Sequence, residues 1–169
     1  MKMLDGLRTL VVGVSNKNSL GWAIASAWRA AGGQVAISYE HERFKAKLTA
    51  LCGEDRGYHL VGPCDVTDEN QVKTLLTKVT DVYEGHKLDA LMHSVAYAPK
   101  EALHNAFRRT TPQDFATTQA ASVYSLIALA NAAQPLMSAG GSIITLSFIG
   151  SQKVCMYGCS VHIHSLQTE

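Results

Sequence analysis

The chain has 169 residues, of which 47% are hydrophobic and 17% are charged, and its formal net charge is +1. These values describe a globular domain large enough to bury a core, and they exclude the broad basic surface of a nucleic-acid-binding protein. No apolar run is long enough to cross a bilayer, so we expect neither a nucleic-acid nor a membrane partner.

The first half of the chain alternates strand patterns with helical patterns. Residues 9–14 form a short continuous apolar run typical of a buried parallel strand, and residues 20–31 carry apolar side chains at helical spacing. The alternation continues with a second strand and helix and a third strand and helix, at residues 34–39, 41–51, 58–61 and 68–82.

The second half of the chain predicts two more strands and one long helix. Residues 88–93 predict a fourth strand, and residues 95–111 an irregular connection. Thr111 can cap a helix whose first turn suits Pro112, and this helix runs to about residue 137, before a fifth strand at 142–147. Strands that alternate with long helices require right-handed crossovers and a parallel sheet. We therefore predict a Rossmann-like three-layer α/β domain with strand order 3-2-1-4-5.

Candidate ligand-binding residues stand at the carboxyl ends of the first three strands, where sheets of this kind bind ligands. Gly13 ends the first strand without a side chain, and Ser19 can cap the next helix, whose free N–H groups attract a pyrophosphate. Glu40 follows the second strand and can hold an adenosine ribose, and Asp65 follows the third and can meet an adenine amino group. Each residue equally suits an ordinary turn or helix start, but together they mark one edge of the sheet.

Two residues bear on the choice between NAD(H) and NADP(H). The carboxylate of Glu40 would repel the 2′-phosphate of NADP(H) and so favours NAD(H). Arg43 lies close enough in sequence to argue the other way. We predict NAD(H) on the strength of Glu40.

Five stretches of the chain match the motifs of one family. They are GVSNKNSLGWAIA, CDV, LMHSVAYAPKEAL, SVYSLIALANAAQPLMSAGGSIITLS and FIGSQKV. These motifs resemble the enoyl-acyl carrier protein reductases of the divergent short-chain dehydrogenase group, and HSVAYAP is the most specific of them. The resemblance runs from about Leu4 to Val154, and the full family fold has further strands and helices that this chain lacks.

The resemblance implies that NAD(H) lies along the carboxyl ends of the strands. The implied contacts are Gly13, Ser19 and Leu20 at the phosphates, Asp65 and Val66 at the adenine, and Ser94 and Val95 near the nicotinamide ribose. Ala98 would lie by the substrate. Glu40 departs from the family, which usually has Gln at this position.

The resemblance also implies a reaction, the reduction by NADH of trans-2-enoyl thioesters carried by acyl carrier protein in fatty acid biosynthesis. Hydride passes to C3, a hydroxyl stabilises the enolate oxygen, and a cation anchors the cofactor ribose. The family has a tyrosine just after strand five, a second about ten residues later and a lysine seven residues after that. This chain has Phe148 at the first position, Tyr157 one residue short of the second, and His164 where the lysine belongs. Tyr157 is the catalytic candidate, and we expect impaired activity.

The sequence departs from the family after Val154. We therefore predict a dinucleotide-binding domain at residues 1–154 and a disordered, non-family tail at 155–169. The tail contains two cysteines and two histidines, Cys155, Cys159, His162 and His164. Their spacing matches no usual zinc pattern, so we expect no metal.

Two other functions remain open from the sequence. One is a truncated Rossmann remnant without catalysis that binds NAD or a partner only, which the missing lysine favours. The other is a different short-chain dehydrogenase, which the absence of Tyr-x-x-x-Lys disfavours, because Val161 stands four residues after Tyr157. The family resemblance implies a homo-oligomer, although the missing elements count against one here. We expect a cytoplasmic location, with an organelle as the alternative, since the first residues show no signal or transit pattern.

Overall fold

The computed structural model describes residues 2–104 and 106–147. Within them five strands form one parallel sheet in the order β3-β2-β1-β4-β5. The strands are β1 (Arg8–Val12), β2 (Gln34–Tyr39), β3 (Tyr58–Pro63), β4 (Leu88–His93) and β5 (Met137–Thr145). The predicted Rossmann-like architecture and strand order are confirmed.

Six α-helices connect or follow these strands in the described part of the chain. They are α1 (Leu20–Ala30), α2 (Lys45–Cys52), α3 (Glu69–Val82), α4 (Lys100–His104), α5 (Pro112–Gln119) and α6 (Ser125–Ala133). A 3₁₀ turn, Glu42–Phe44, precedes α2, and another, Gln134–Leu136, precedes β5. Thr111 caps α5 as predicted, because its hydroxyl accepts the N–H of Asp114 in a capping box.

Three predictions about the second half of the chain were wrong in detail. The segment 95–111 is not wholly irregular, since it contains α4 and a 3₁₀ turn at Phe107–Arg109. The single long helix is interrupted by a π-helical turn, Ala120–Tyr124, between α5 and α6. Strand β5 begins at Met137 rather than at residue 142. The strand continues through Gly140 because this glycine can adopt a positive φ of 82°, and the pairing with β4 shifts register between residues 88 and 90 to accommodate the bend.

The structure divides into two compact units. The first contains residues 2–94 and 128–145, and therefore the whole sheet. The second contains residues 95–104 and 106–127, together with 146–147. The candidate residues up to Ser94 belong to the first unit, and Val95 and Ala98 belong to the second.

One apolar cluster in the first unit joins the sheet to α1 and α2. Val11 of β1, Ile37 of β2 and Met92 of β4 share one face of the sheet and are almost fully buried there with Ala25 and Leu48. Burying an aliphatic side chain of this size stabilises the fold by about 1.5–3 kcal/mol. This cluster holds α1 against the sheet.

The hydroxyl of Tyr83, just after α3, is hydrogen-bonded to the backbone of two strands. It accepts the N–H of Ala36 at 2.8 Å and donates to the carbonyl of Thr9 at 2.7 Å. Burial raises the pKa of Tyr83, so the hydroxyl remains protonated and able to donate. The end of α3 is therefore fixed to both β1 and β2.

Across 2–104 and 106–147, no helix combines the length and apolar character needed to span a membrane. The same residues contain no group of three or more His, Cys, Asp or Glu side chains placed to hold a metal ion. Cys52 and Cys64 are free thiols, and burial raises their pKa to about 11 and about 12 respectively. The four tail residues considered as zinc ligands lie outside the described residues.

Candidate functional site

The chain leaves β1 through a glycine in the left-handed region. Gly13 has a φ of 94°, a conformation in which other residues are strained. The N–H groups of Gly13 and Val14 both donate to the carbonyl of Ser38 in β2, at 3.1 and 3.0 Å. These two bonds continue the β1–β2 pairing while the glycine turns the chain towards α1.

The first turn of α1 has the predicted cap and backbone donors without a partner inside the helix. The Ser19 hydroxyl accepts the N–H of Trp22 at 3.2 Å and donates to the carbonyl of Asn16 at 2.7 Å. The N–H groups of Leu20 and Gly21 have no acceptor inside the helix, since they belong to its first turn. Leu20 is 65% exposed, whereas Gly21 is buried against the strand ends, so this end of α1 opens to solvent at Leu20. It combines free N–H donors with the positive end of the helix dipole.

Gly21 allows this helix end to approach the strand ends closely. A Cβ atom at Gly21 would lie 3.1 Å from Oγ of Ser94 and 3.2 Å from Cγ2 of Val14, both shorter than ordinary contacts. Ser94 in turn donates its N–H to the carbonyl of Val12 at 2.9 Å. The start of α1 therefore packs on the carboxyl ends of β1 and β4, which is where the strand order reverses and where sheets of this type bind ligands.

Sequence reasoning had not assigned a role to Gly21. The available signal was a glycine inside a helical pattern, where glycine is less favourable than alanine and usually has a packing or functional reason. Ser94 was assigned through the family resemblance, and its contact with Gly21 supplies the geometry.

At the end of β2, Glu40 and Arg43 have different neighbours. Glu40 is exposed, and its Oε1 lies 3.1 Å from Nε2 of His41. The guanidinium of Arg43 stacks over the ring of Phe44, with 4.8 Å between its central carbon and the ring centroid. The carboxylate thus directly follows the strand end, while the cation is held on an aromatic ring.

At the end of β3, Asp65 forms a turn and does not cap the helix. Its Oδ1 accepts the N–H of Thr67 at 2.9 Å and the hydroxyl of the same residue at 2.7 Å. The cap of α3 is Asp68, whose carboxylate accepts the N–H groups of Asn70 and Gln71. Val66 beside the turn is buried. The helix-cap explanation of Asp65 is therefore wrong, and the turn holds its carboxylate at the strand end.

The ends of β2 and β3 are also joined by backbone. The N–H of Cys64, immediately before Asp65, donates to the carbonyl of Tyr39, immediately before Glu40, at 2.8 Å. Glu40 and Asp65 therefore stand on neighbouring strand ends.

At the end of β4, a buried histidine links this strand to β5. Nδ1 of His93 lies 3.0 Å from the Thr145 hydroxyl, and burial lowers the pKa of His93 to about 4. The imidazole is therefore neutral near pH 7, when it can share a hydrogen bond with a hydroxyl without burying a charge. Sequence reasoning had placed His93 at the end of the strand, as the first residue of HSVAYAP, and had given it no role of its own.

The remaining candidates lie beyond the sheet. Val95 and Ala98 belong to the segment between β4 and α4, in the second unit. Tyr157, with Phe148 and His164, lies outside the described residues.

A sequence model of enoyl-(acyl carrier protein) reductases matches residues 13–162 of the chain. The chain belongs to this family. The match extends past Val154, and the predicted boundary of the tail stays a prediction. It also includes every residue assigned to the cofactor, the substrate or catalysis, from Gly13 to Tyr157, whereas His164 lies just outside it.

Individual members of the family are similar to the chain over most of its length. The NADH enoyl-[acyl-carrier-protein] reductase of Nostoc sp. is 37% identical over 153 residues, which cover 89% of this chain and 58% of that protein. The corresponding reductase of Bacillus subtilis is 34% identical, with the same two coverages. The chain thus spans little more than half the length of these curated relatives.

Solved structures of reductases in this family have the same fold. The Anaplasma phagocytophilum structure, in complex with NAD, has a TM-score of 0.86 and 34% identity, and the match covers 98% of this chain and 63% of that one. The Bacillus cereus structure, with NADP⁺ and an indole naphthyridinone, has a TM-score of 0.87 and 29% identity, covering 98% and 65%. Members of the family have thus been crystallised with either nicotinamide cofactor.

Proposed function

We propose that this protein binds NADH and takes part in the reduction of trans-2-enoyl thioesters carried by acyl carrier protein, a step of fatty acid biosynthesis. The observation that carries the proposal is the start of α1, packed through Gly21 against the ends of β1 and β4. Family membership supports the choice of reaction, as do the relatives named as NADH enoyl-[acyl-carrier-protein] reductases.

The residues at the carboxyl ends of the strands fit a dinucleotide. The first turn of α1, with Ser19 and Leu20, would hold the pyrophosphate, and Gly13 would let it approach the backbone. Asp65 and Val66 would adjoin the adenine, and Glu40 the adenosine ribose. Ser94 and Val95 would adjoin the nicotinamide ribose. When bound, NADH supplies the hydride for C3 of the enoyl group.

The protein's own part in the chemistry would be to hold the thioester and stabilise the developing enolate. We place the thioester beside Ala98 and assign the hydroxyl donor to Tyr157. Acyl carrier protein is the proposed partner, as the carrier of the substrate. The cytoplasmic location expected from the sequence stays a prediction.

The proposal is tested by two binding measurements on the purified chain. NADH fluorescence titration measures cofactor affinity, and calorimetry with a crotonyl thioester in the presence of NAD⁺ measures substrate affinity without turnover. We expect both ligands to bind. A folded chain that binds neither would refute the proposal, and one that binds NADH alone would support the alternative of a non-catalytic NAD-binding protein, which the absence of a lysine at 161 or 164 favours.

Gly21→Val is expected to weaken NADH binding by at least about tenfold, a loss of about 1.4 kcal/mol. The branched side chain must displace either Ser94 or the first turn of α1, because even a Cβ atom lies within 3.2 Å of its neighbours. The matched control is Ala23→Val, which adds a branched side chain to the same helix at an exposed position. Fluorescence titration with NADH measures the affinity of both variants. Equal affinities would show that the start of α1 is not part of the proposed pyrophosphate site.

NADH is expected to bind more tightly than NADPH, because the carboxylate of Glu40 directly follows β2 while Arg43 is stacked on Phe44. Parallel titrations with the two cofactors measure the preference. Glu40→Gln should reduce the ratio of affinities, and Arg43→Gln should leave it nearly unchanged. NADPH binding as tight as NADH binding in the wild type would show that Arg43 sets the preference instead.

A further inference from the structure

A single serine hydroxyl holds the backbone of the segment that follows β4. Oγ of Ser122 accepts the N–H of Tyr97 at 3.0 Å and donates to the carbonyl of the same residue at 3.1 Å. Both residues belong to the second unit. One side chain thus fixes the two peptide groups on either side of Tyr97, in a segment outside helix and strand.

Ser122 stands in the middle of the π-helical turn Ala120–Tyr124. Such turns are rare, cost helix stability and occur frequently at functional sites. The extra residue in the turn changes the direction of the side chains relative to a regular α-helix. This π-helical turn places the Ser122 hydroxyl against the non-helical segment at Tyr97.

The contact with Ser122 determines where the next N–H group points. The carbonyl of Tyr97 and the N–H of Ala98 belong to one planar trans peptide, so they point in opposite directions. Because the carbonyl is directed at Ser122, the Ala98 N–H is directed away from it. Within residues 2–104 and 106–147 this N–H has no hydrogen-bond partner. The N–H of Tyr97 is already bonded and Pro99 has none, so Ala98 carries the free donor of residues 97–99.

We infer that Ser122 is a positioning residue, which holds the Tyr97–Ala98 peptide so that the Ala98 N–H is available to an oxygen of the acyl thioester. The inference rests on the proposed function, in which Ala98 adjoins the substrate. Ser122 itself does not touch the thioester. Because its hydroxyl orders the Tyr97–Ala98 peptide before the substrate arrives, less conformational entropy is lost when the substrate binds.

The experiment compares Ser122→Ala with Ser122→Thr, which keeps a hydroxyl, and Ser122→Cys, which keeps the volume but is a weak hydrogen-bonding group. Thr117→Ala is the matched control, because it removes a hydroxyl from α5 that bonds the Gln113 side chain. Three quantities are measured on each purified chain: amide hydrogen exchange at Tyr97 without ligand, the Kd of NAD⁺, and the Kd of crotonyl-pantetheine in the presence of NAD⁺.

Ser122→Ala and Ser122→Cys are expected to accelerate exchange at Tyr97 and to weaken thioester binding by about tenfold, the value of roughly one hydrogen bond. The Kd of NAD⁺ should stay within about twofold of the wild-type value. A general loss of structure would instead weaken NAD⁺ binding as well. Ser122→Thr and Thr117→Ala should resemble the wild type. If the wild type binds the thioester and Ser122→Ala binds it equally well, the positioning role of Ser122 is overturned, but the proposed substrate is not. A wild type that binds NAD⁺ but no thioester would overturn the proposed substrate and this role together.

Discussion

Turnover of a crotonyl thioester with NADH by the purified chain is expected to be at least 10²-fold below the roughly 10 per second of an ordinary enzyme. Two groups that the family pattern supplies are missing from the sequence. Phe148 has no hydroxyl, and His164 stands where a lysine belongs, seven residues after Tyr157. Loss of one donor to a developing oxyanion alone costs about 10²–10³ in rate.

NADH oxidation followed by absorbance measures this turnover, and NADH titration of the same sample shows that the chain is folded and able to bind. His164→Lys introduces a cation at the spacing of the family pattern and should raise the rate, whereas His164→Ala should not. A wild-type rate near 10 per second would mean that another group replaces the lysine, and the expectation of impaired activity would then be wrong.

Acidification from pH 7 to pH 4 is expected to destabilise the fold through His93. Burial lowers the pKa of this imidazole from 6.5 to about 4, so the unfolded chain takes up a proton in this interval that the folded chain resists. Stability due to His93 is therefore fully present above about pH 6.5 and is lost as the pH falls towards 4. The difference between the two pKa values corresponds to about 3 kcal/mol in the free energy of unfolding.

Urea unfolding at a series of pH values measures this effect. His93→Asn keeps an amide, which can donate or accept a hydrogen bond, near the position of Nδ1, and it should flatten the profile between pH 6.5 and 4, even if it lowers stability at pH 7. Thr145→Val removes the hydroxyl bonded to His93 but leaves the imidazole buried, so its profile should keep the wild-type slope. A His93→Asn variant with the full wild-type slope would assign the acid sensitivity to other groups.

The alternation of strands and helices, and with it the order of the sheet, could be predicted from the sequence alone. A buried parallel strand such as β2 is a continuous apolar run, and α1 carries its own apolar spacing and its own cap at Ser19. These signals are local, and right-handed crossovers leave few ways to arrange five such strands. The candidate residues at the carboxyl ends of the strands follow from that topology, and the reaction was suggested by the quoted motifs.

Other features depended on residues far apart in the chain, and only the tertiary structure decided them. Gly21 matters because Ser94 lies against it, and the neutrality of His93 follows from its burial beside β5. The hydrogen bonds of Ser122 with Tyr97 join residues 25 positions apart in the sequence. They form at a π-helical turn that no local sequence pattern predicted. A pattern along the sequence records what each residue prefers, whereas close packing and the satisfaction of buried polar groups are set by neighbours that only the folded chain brings together.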